Sequence, residues 1–80
     1  MPTIARIGPY RIYFVSHDLG EPRHVHVDRD AQSAKLWLEP VMLARNVGFS
    51  AKELRAIEQI VMEHRTEYVN AWNKYFGNQA

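Results

Sequence analysis

Three of the four histidines in this chain, His17, His24 and His26, lie within ten residues of one another. Val25 alone separates His24 from His26. In an extended strand, residues at positions i and i+2 project to the same side, about 7 Å apart. Because imidazole titrates near neutral pH, the pair can supply a general acid and a general base. Arg23 immediately precedes the pair and adds a cation. We therefore predict that His24, His26 and Arg23 form a catalytic set.

The reaction that suits these groups is cleavage of RNA without a metal ion or other cofactor. The 2′-hydroxyl of RNA is an internal nucleophile, so cleavage needs only proton transfers and stabilisation of the developing charge. Cations would bind phosphates and aromatic rings would stack on unpaired bases. The residues predicted to bind nucleic acid in this way are Arg11, Tyr13, His17, Lys35 and Trp37.

Three other interpretations of this segment stay open. In the first interpretation, the histidine pair binds a metal ion, although the spacing shows no clear third ligand. The candidates for that ligand are His17, Asp18 and Glu21. In the second, Tyr13 and Trp37 bury against another protein chain, as such residues often do at interfaces. In the third, the histidines are ordinary strand residues that bond or stack with their neighbours.

The elements that position these residues follow from the spacing of the apolar side chains, which changes near Gly48. Before it, alternation with period two predicts strands, and after it the spacing is helical. Val41 to Arg45 is predicted as one helical turn. The predicted strands are Thr3 to Ile7, Tyr10 to Ser16, Arg23 to Asp28 and Ser33 to Glu39. The predicted fold class is α+β: a small antiparallel sheet of three to four strands, covered on one face by a long C-terminal helix.

Strand alternation also predicts which side chains face that helix. The predicted core residues are Ile12, Phe14, Val25, Val27, Leu36 and Leu38, with Ile4 or Ile7. The opposite face then carries the polar and aromatic residues of the same strands. These are Arg11, Tyr13, His17, His24, His26, Asp28, Lys35, Trp37 and Glu39. Function is therefore expected on the face away from the helix.

The C-terminal helix is predicted from about Ala51 to about Phe76. Ser50 followed by Glu53 is a capping-box signature, and Gly77 is a suitable stop. A straight helix of this length would extend about 39 Å. We therefore predict either a break near Arg65 to Glu67 or an end that overhangs the sheet.

The composition limits the class of protein. Eighty residues predict one domain, 1–80, and a formal charge of +1 argues against a protein that coats nucleic acid through bulk charge. The absence of cysteine excludes disulfides and thiolate chemistry. No apolar run reaches the roughly 20 residues of a membrane span, and no signal peptide is recognisable. We expect a cytoplasmic protein that does not associate with membranes, and a chain this short is compatible with a homodimer.

The chain resembles the bacterial family known as domain of unknown function 4160. The most specific segments are Glu21 to Val27 (Glu-Pro-Arg-His-Val-His-Val) and Ala34 to Pro40 (Ala-Lys-Leu-Trp-Leu-Glu-Pro). The opening from Pro2 to Phe14, the triplet Ser16 to Asp18 and Trp72 extend the resemblance over nearly the whole chain.

The resemblance implies a toxin–antitoxin pair in which this family supplies the toxin. Its cognate partner would be a small antitoxin-like protein of the family known as domain of unknown function 2442. It implies no catalytic residues, so the histidine and arginine assignments depend on strand geometry and chemistry. The alternative functions are a nucleic-acid- or protein-binding module without catalysis, such as an antitoxin or repressor partner, and a histidine-based metal protein.

Overall fold

The computed structural model describes residues 3–15 and 20–77. Five strands precede two helices: β1 (Thr3–Ile7), β2 (Tyr10–Tyr13), β3 (His24–Arg29), β4 (Gln32–Leu38), β5 (Val41–Val47), α1 (Ala51–Glu63) and α2 (Arg65–Phe76). The strands form one sheet in sequence order, and every neighbouring pair is antiparallel. The predicted α+β class with an antiparallel sheet is confirmed.

The segment after β4 is a fifth strand, so the predicted helical turn from Val41 to Arg45 and the predicted count of three to four strands are wrong. Val41 pairs with Leu38 and Leu43 pairs with Leu36 on β4. Both β5 side chains are half-buried and pack against the core. Strand alternation puts both on the core side of the sheet, where they pack against the apolar residues of β4.

The C-terminal region is two helices instead of the single long helix predicted. His64 separates them, one residue before the predicted break, and its backbone leaves the helical region at φ −111° and ψ 16°. Its Nδ1–H donates to the carbonyl of Ile60 at 2.9 Å. The break lets both helices bury apolar residues, which are Ile57, Val61, Tyr68 and Trp72. Among the described residues, no helix is both long and apolar enough to cross a lipid bilayer.

The core lies between the sheet and the helices and contains the residues predicted for it. Ile12, Phe14, Val25, Val27, Leu36 and Leu38 are all buried. Ile4 and Ile7 are partly buried and pack against this cluster. Phe49, just before α1, and Ala34 join it. The alternation in the sequence therefore identifies the covered face of the sheet correctly.

Glu53 connects the first turn of α1 to the sheet. The Ser50 hydroxyl accepts a hydrogen bond from the Glu53 amide at 3.2 Å, which is one half of the predicted capping box. The Glu53 carboxylate accepts two bonds from the Arg29 guanidinium, at 2.6 and 2.8 Å, and one from the Tyr10 hydroxyl at 2.9 Å. The Arg29 guanidinium, and after it the Tyr10 hydroxyl, lower the pKa of the Glu53 carboxyl from its ordinary value.

Both edge strands carry one extra residue. Thr3 pairs with Tyr13 and Ala5 with Ile12, so Ile4 has no direct partner on β2. On the other edge, Ala44 is extra between two residues of β5 that pair with adjacent residues of β4. Such bulges bend a strand and increase its local twist.

Candidate nucleic-acid interface

The sheet face turned away from the helices carries most of the residues predicted to be functional. Directly opposed residues on neighbouring strands project to the same side, so the register assigns each side chain to a face. We call this side the outer face. From β1 to β5 it comprises Thr3, Arg6, Arg11, Tyr13, His24, His26, Asp28, Ser33, Lys35, Trp37, Met42, Arg45 and Val47.

Four aromatic rings form a continuous row across the middle strands of the outer face. Tyr13 stacks on His26, with ring centroids 5.2 Å apart and planes inclined by 22°. His24 meets His26 edge-on at 5.1 Å and Trp37 edge-on at 5.6 Å. The predicted convergence of Tyr13, Trp37 and the histidine pair is thus observed.

A cation lies over the ring at each end of this row. The Arg11 guanidinium is centred 4.4 Å from the Tyr13 ring, and the Lys35 Nζ is 4.8 Å from the Trp37 ring. Both contacts fall within the range of cation–π interactions. The Lys35 ammonium also forms an ion pair with the Glu21 carboxylate. Lys35 and Arg11 are therefore held in place by the outer face itself.

His24 lies on the outer face but is completely buried. Its ring contacts His26, Trp37 and, at 5.1 Å, Trp72 of α2. The carbonyl of Pro22 can only accept, so Nδ1 carries the proton of the 2.8 Å bond between them. The imidazole therefore has a fixed orientation, and in the described arrangement it has no surface that a substrate could contact.

Tyr13 is also buried, with 9% of its surface exposed. One side of its ring contacts Arg11 and the other contacts His26, so neither side is open for a base. Its hydroxyl donates to Asp28 at 3.1 Å. Burial, and after it the Asp28 carboxylate, raise the pKa of Tyr13, so the phenol stays protonated and keeps donating. Tyr13 supports His26 and Arg11 and does not serve as a stacking surface.

Arg23 is not brought to the histidines. It immediately precedes the first residue of β3, and its side chain bonds to the helix side. Its Nε donates to Asn73 of α2 at 2.9 Å, and its Nη1 donates to Glu39 at 3.0 Å. Glu39 is also within 3.5 Å of Arg65. The predicted catalytic set is thus divided: His26 is half-buried, His24 is inaccessible and Arg23 binds elsewhere.

The predicted residue His17, with Asp18, lies outside the described residues. Among the residues that are described, no group of three or more histidine, aspartate or glutamate side chains is placed to hold a metal ion. Glu21, the remaining candidate ligand, has its carboxylate 3.9 Å from the Nε2 of His24 and bonded to Lys35.

The sequence analysis missed the outer-face residues on the edge strands. Met42, Arg45 and Val47 were missed because β5 was predicted as a helical turn. Met42 and Val47 are each about half exposed, at 53% and 52%. Arg6 lies on a strand whose bounds were predicted correctly, but its face was not assigned because the bulge at Ile4 shifts the alternation. The pairing of Arg6 with Arg11 on β2 places Arg6 on the outer face.

The fold and the outer face define a small α+β protein with an open sheet surface that combines cations with aromatic rings. A family model described as Domain of unknown function (DUF4160) matches residues 10–73, and the chain belongs to this family. No curated protein and no solved structure gave a significant match.

Proposed function

We propose that this protein is the toxin of a toxin–antitoxin pair and acts on RNA bound to the outer face. The observation that carries the proposal is the row of aromatic rings with Arg11 at one end and Lys35 at the other. Rings and cations side by side suit a ligand that has both bases and phosphates. The toxin role itself is supported by the family resemblance described above.

His26 is the residue that we propose transfers protons in this reaction. It lies at the centre of the outer face, directly between Tyr13 on β2 and Lys35 on β4. Stacking on Tyr13 holds its ring, and Lys35 supplies a cation that can stabilise the phosphate charge. His24 packs beneath and fixes this arrangement, so its role is positioning.

The test is inducible expression in bacteria of the wild type and of His26→Gln, with growth and total RNA integrity as readouts. We expect the wild type to arrest growth and degrade RNA, and His26→Gln to do neither. His64→Gln is the matched control, because it removes a histidine from the helix junction and leaves the outer face intact. Soluble yield and thermal unfolding of each variant establish that it folds.

Two outcomes would contradict the proposal. If the folded wild type does not slow growth at high expression, the chain is not a toxin. If His26→Gln arrests growth as strongly as the wild type, the catalytic role of His26 is wrong. Co-expression of the gene that adjoins this one tests the pair, because an antitoxin restores growth.

The exposed apolar residues of the outer face favour one second candidate, a binding module without catalysis. Met42 is the direct neighbour of Trp37, and Val47 lies further along the same strand. Exposed apolar side chains beside a tryptophan are typical of protein interfaces. In that case Trp37→Ala abolishes co-purification with the product of the adjoining gene, and His26→Gln leaves it unchanged.

A further inference from the structure

Two pairs of like charges oppose each other directly on the outer face. Arg6 on β1 is the cross-strand partner of Arg11, and Lys35 on β4 is the partner of Arg45 on β5. Like charges in this position destabilise a sheet. Arg6 and Arg45 are exposed, and neither forms an ion pair with any other described residue. Arg11 also lies opposite Asp28 on β3, and Lys35 pairs with Glu21, so Arg6 and Arg45 are the cations that a bound anion would neutralise.

The charges of the chain are separated between this face and the rest. The sequence has 10 lysines and arginines against 9 aspartates and glutamates. Of the described residues, the outer face takes four cations and one carboxylate, Asp28, and the others carry six cations and seven carboxylates. Glu21 offsets part of Lys35 from beside the face. The described residues thus give the outer face more cations than carboxylates, although the whole chain is nearly neutral.

The two cation pairs lie near opposite ends of the aromatic row. One spans β1 and β2 and the other spans β4 and β5, and Lys35 lies two residues along β4 from Ser33, which is level with Arg11. Three strand spacings combined with this two-residue step put the midpoints about 16 Å apart. Asp28 and the half-buried His26 lie between the pairs, and the half-buried Trp37 and exposed Met42 lie next to the Lys35–Arg45 pair. An anion that reaches both pairs therefore crosses the strands near His26, and one of its ends lies next to Trp37 and Met42.

We infer that the outer face binds single-stranded RNA that crosses the sheet from Arg6 and Arg11 to Lys35 and Arg45. This inference rests on the proposed function and names its substrate class, together with two binding residues, Arg6 and Arg45. Phosphates contact the two pairs, and unpaired bases contact Trp37 and Met42. A duplex hides the faces of its bases, so it has only the phosphate contacts to offer.

The experiment measures binding of a fluorescein-labelled single-stranded RNA 12-mer of mixed sequence by anisotropy over a series of salt concentrations. The same 12-mer annealed to its complement is the duplex probe. The test variant is Arg6→Gln with Arg45→Gln. The control variant is Lys52→Gln with Arg55→Gln, which also removes two positive charges, but from exposed positions of α1.

We expect the wild type to bind the single strand more tightly than the duplex. The test variant should weaken binding about tenfold or more and reduce the slope of log K against log salt by about 1.4, because two phosphate contacts are lost. The control variant should change neither quantity by a comparable amount. Trp37→Ala should weaken single-strand binding and leave the salt slope unchanged.

Any of four results would overturn the inference: no binding, tighter binding of the duplex, an unchanged test variant, or an equal loss in the control variant. The outcome is separable from that of the toxin test. Binding that depends on Arg6 and Arg45 without growth arrest leaves this inference standing and removes the toxin proposal. Growth arrest that depends on His26, in a protein that fails to bind the single strand, removes this inference and leaves the toxin proposal standing.

Discussion

The two faces of the sheet use charged residues in opposite ways. On the side of the helices, the Arg29 guanidinium makes two bonds to the Glu53 carboxylate, and Arg23 bonds to Glu39. On the outer face, Arg6 lies opposite Arg11. Each of these two inner-side cations thus has an anionic partner. On the outer face, Lys35 pairs with Glu21, but Arg6 and Arg45 form no ion pair with another described residue.

This difference separates residues that maintain the fold from residues that are available to a ligand. Complementary pairs lower the free energy of the folded chain, and like-charged neighbours raise it. Repulsion on a small sheet is expected where a ligand supplies the missing charge. The comparison therefore predicts that the helix side contributes more to stability than the outer face, which we propose binds a ligand, and the variants below test that division.

The largest effect is expected from Leu36→Ala on β4. Leu36 is fully buried, and removing its side chain should lower the free energy of unfolding by about 2–5 kcal/mol. Its neighbour Lys35 points to the outer face, so Lys35→Ala should change it by less than about 1 kcal/mol. Urea denaturation followed by circular dichroism measures both. Similar losses for the two variants would contradict the division between the faces.

A smaller, pH-dependent effect is expected from Glu53→Gln. The Arg29 guanidinium holds the pKa of Glu53 below its ordinary value of 4.5 in the folded chain. The ionised carboxylate therefore stabilises the fold above that value, and the contribution is lost as the pH falls below it. We expect the urea midpoint of the wild type to exceed that of Glu53→Gln at neutral pH, and the two to converge in acid.

Glu58→Gln on the same helix is the control for this titration. It should shift the midpoint little at either pH, because Glu58 lies outside the bonds that Arg29 and Tyr10 make to Glu53. A constant difference between the wild type and Glu53→Gln across the acid range would show that the carboxylate charge is unimportant.

The smallest effect is expected from Tyr68→Phe on the helix side. Tyr68 is fully buried, and its hydroxyl has no hydrogen-bond partner among the described residues. Removing the hydroxyl should therefore change the free energy of unfolding by less than about 1 kcal/mol at neutral pH, or raise it. Thermal denaturation of the two proteins measures the difference. A loss above that range would reveal a bond made by this hydroxyl.

The same variant has an alkaline signature. Burial, and after it the Glu67 carboxylate, raise the pKa of Tyr68 to about 12. The unfolded chain therefore ionises Tyr68 near the ordinary tyrosine value of 10.0, and the folded chain does so only near 12. The free energy of unfolding is unaffected below 10.0 and falls as the pH rises toward 12. We expect the wild type to lose stability faster than Tyr68→Phe across this interval. Parallel losses would show that Tyr68 titrates normally.

Alternation made the covered face predictable from the sequence. Phe14, Val25 and Leu36 are buried as expected, because an apolar residue at every second position leaves one way to cover a strand. The same parity brought His26, Lys35 and Trp37 together on the other face. The sequence could not reveal that Trp72 contacts the buried ring of His24, since that contact depends on where α2 lies.

Two predictions, the helical turn at Val41 to Arg45 and the grouping of Arg23 with the histidines, are wrong because tertiary contacts override the local pattern. Val41 to Arg45 reads equally well as a helical turn or an edge strand, and only pairing with β4 decides for the strand. Proximity in the sequence groups Arg23 with the histidines, but its hydrogen-bond partners Glu39 and Asn73 come from distant segments. Long-range contacts of this kind have no signal in local spacing.

The bulges at Ile4 and Ala44 also bear on how this chain behaves at high concentration. An open sheet offers unpaired backbone groups along both of its edge strands, and a flat, regular edge is a template for aggregation. Here each edge strand is interrupted by its extra residue, and a cation, Arg6 or Arg45, follows within two positions. Both edges are thus poor templates for a further strand, so the sheet can keep two unpaired edges and still resist edge-to-edge assembly.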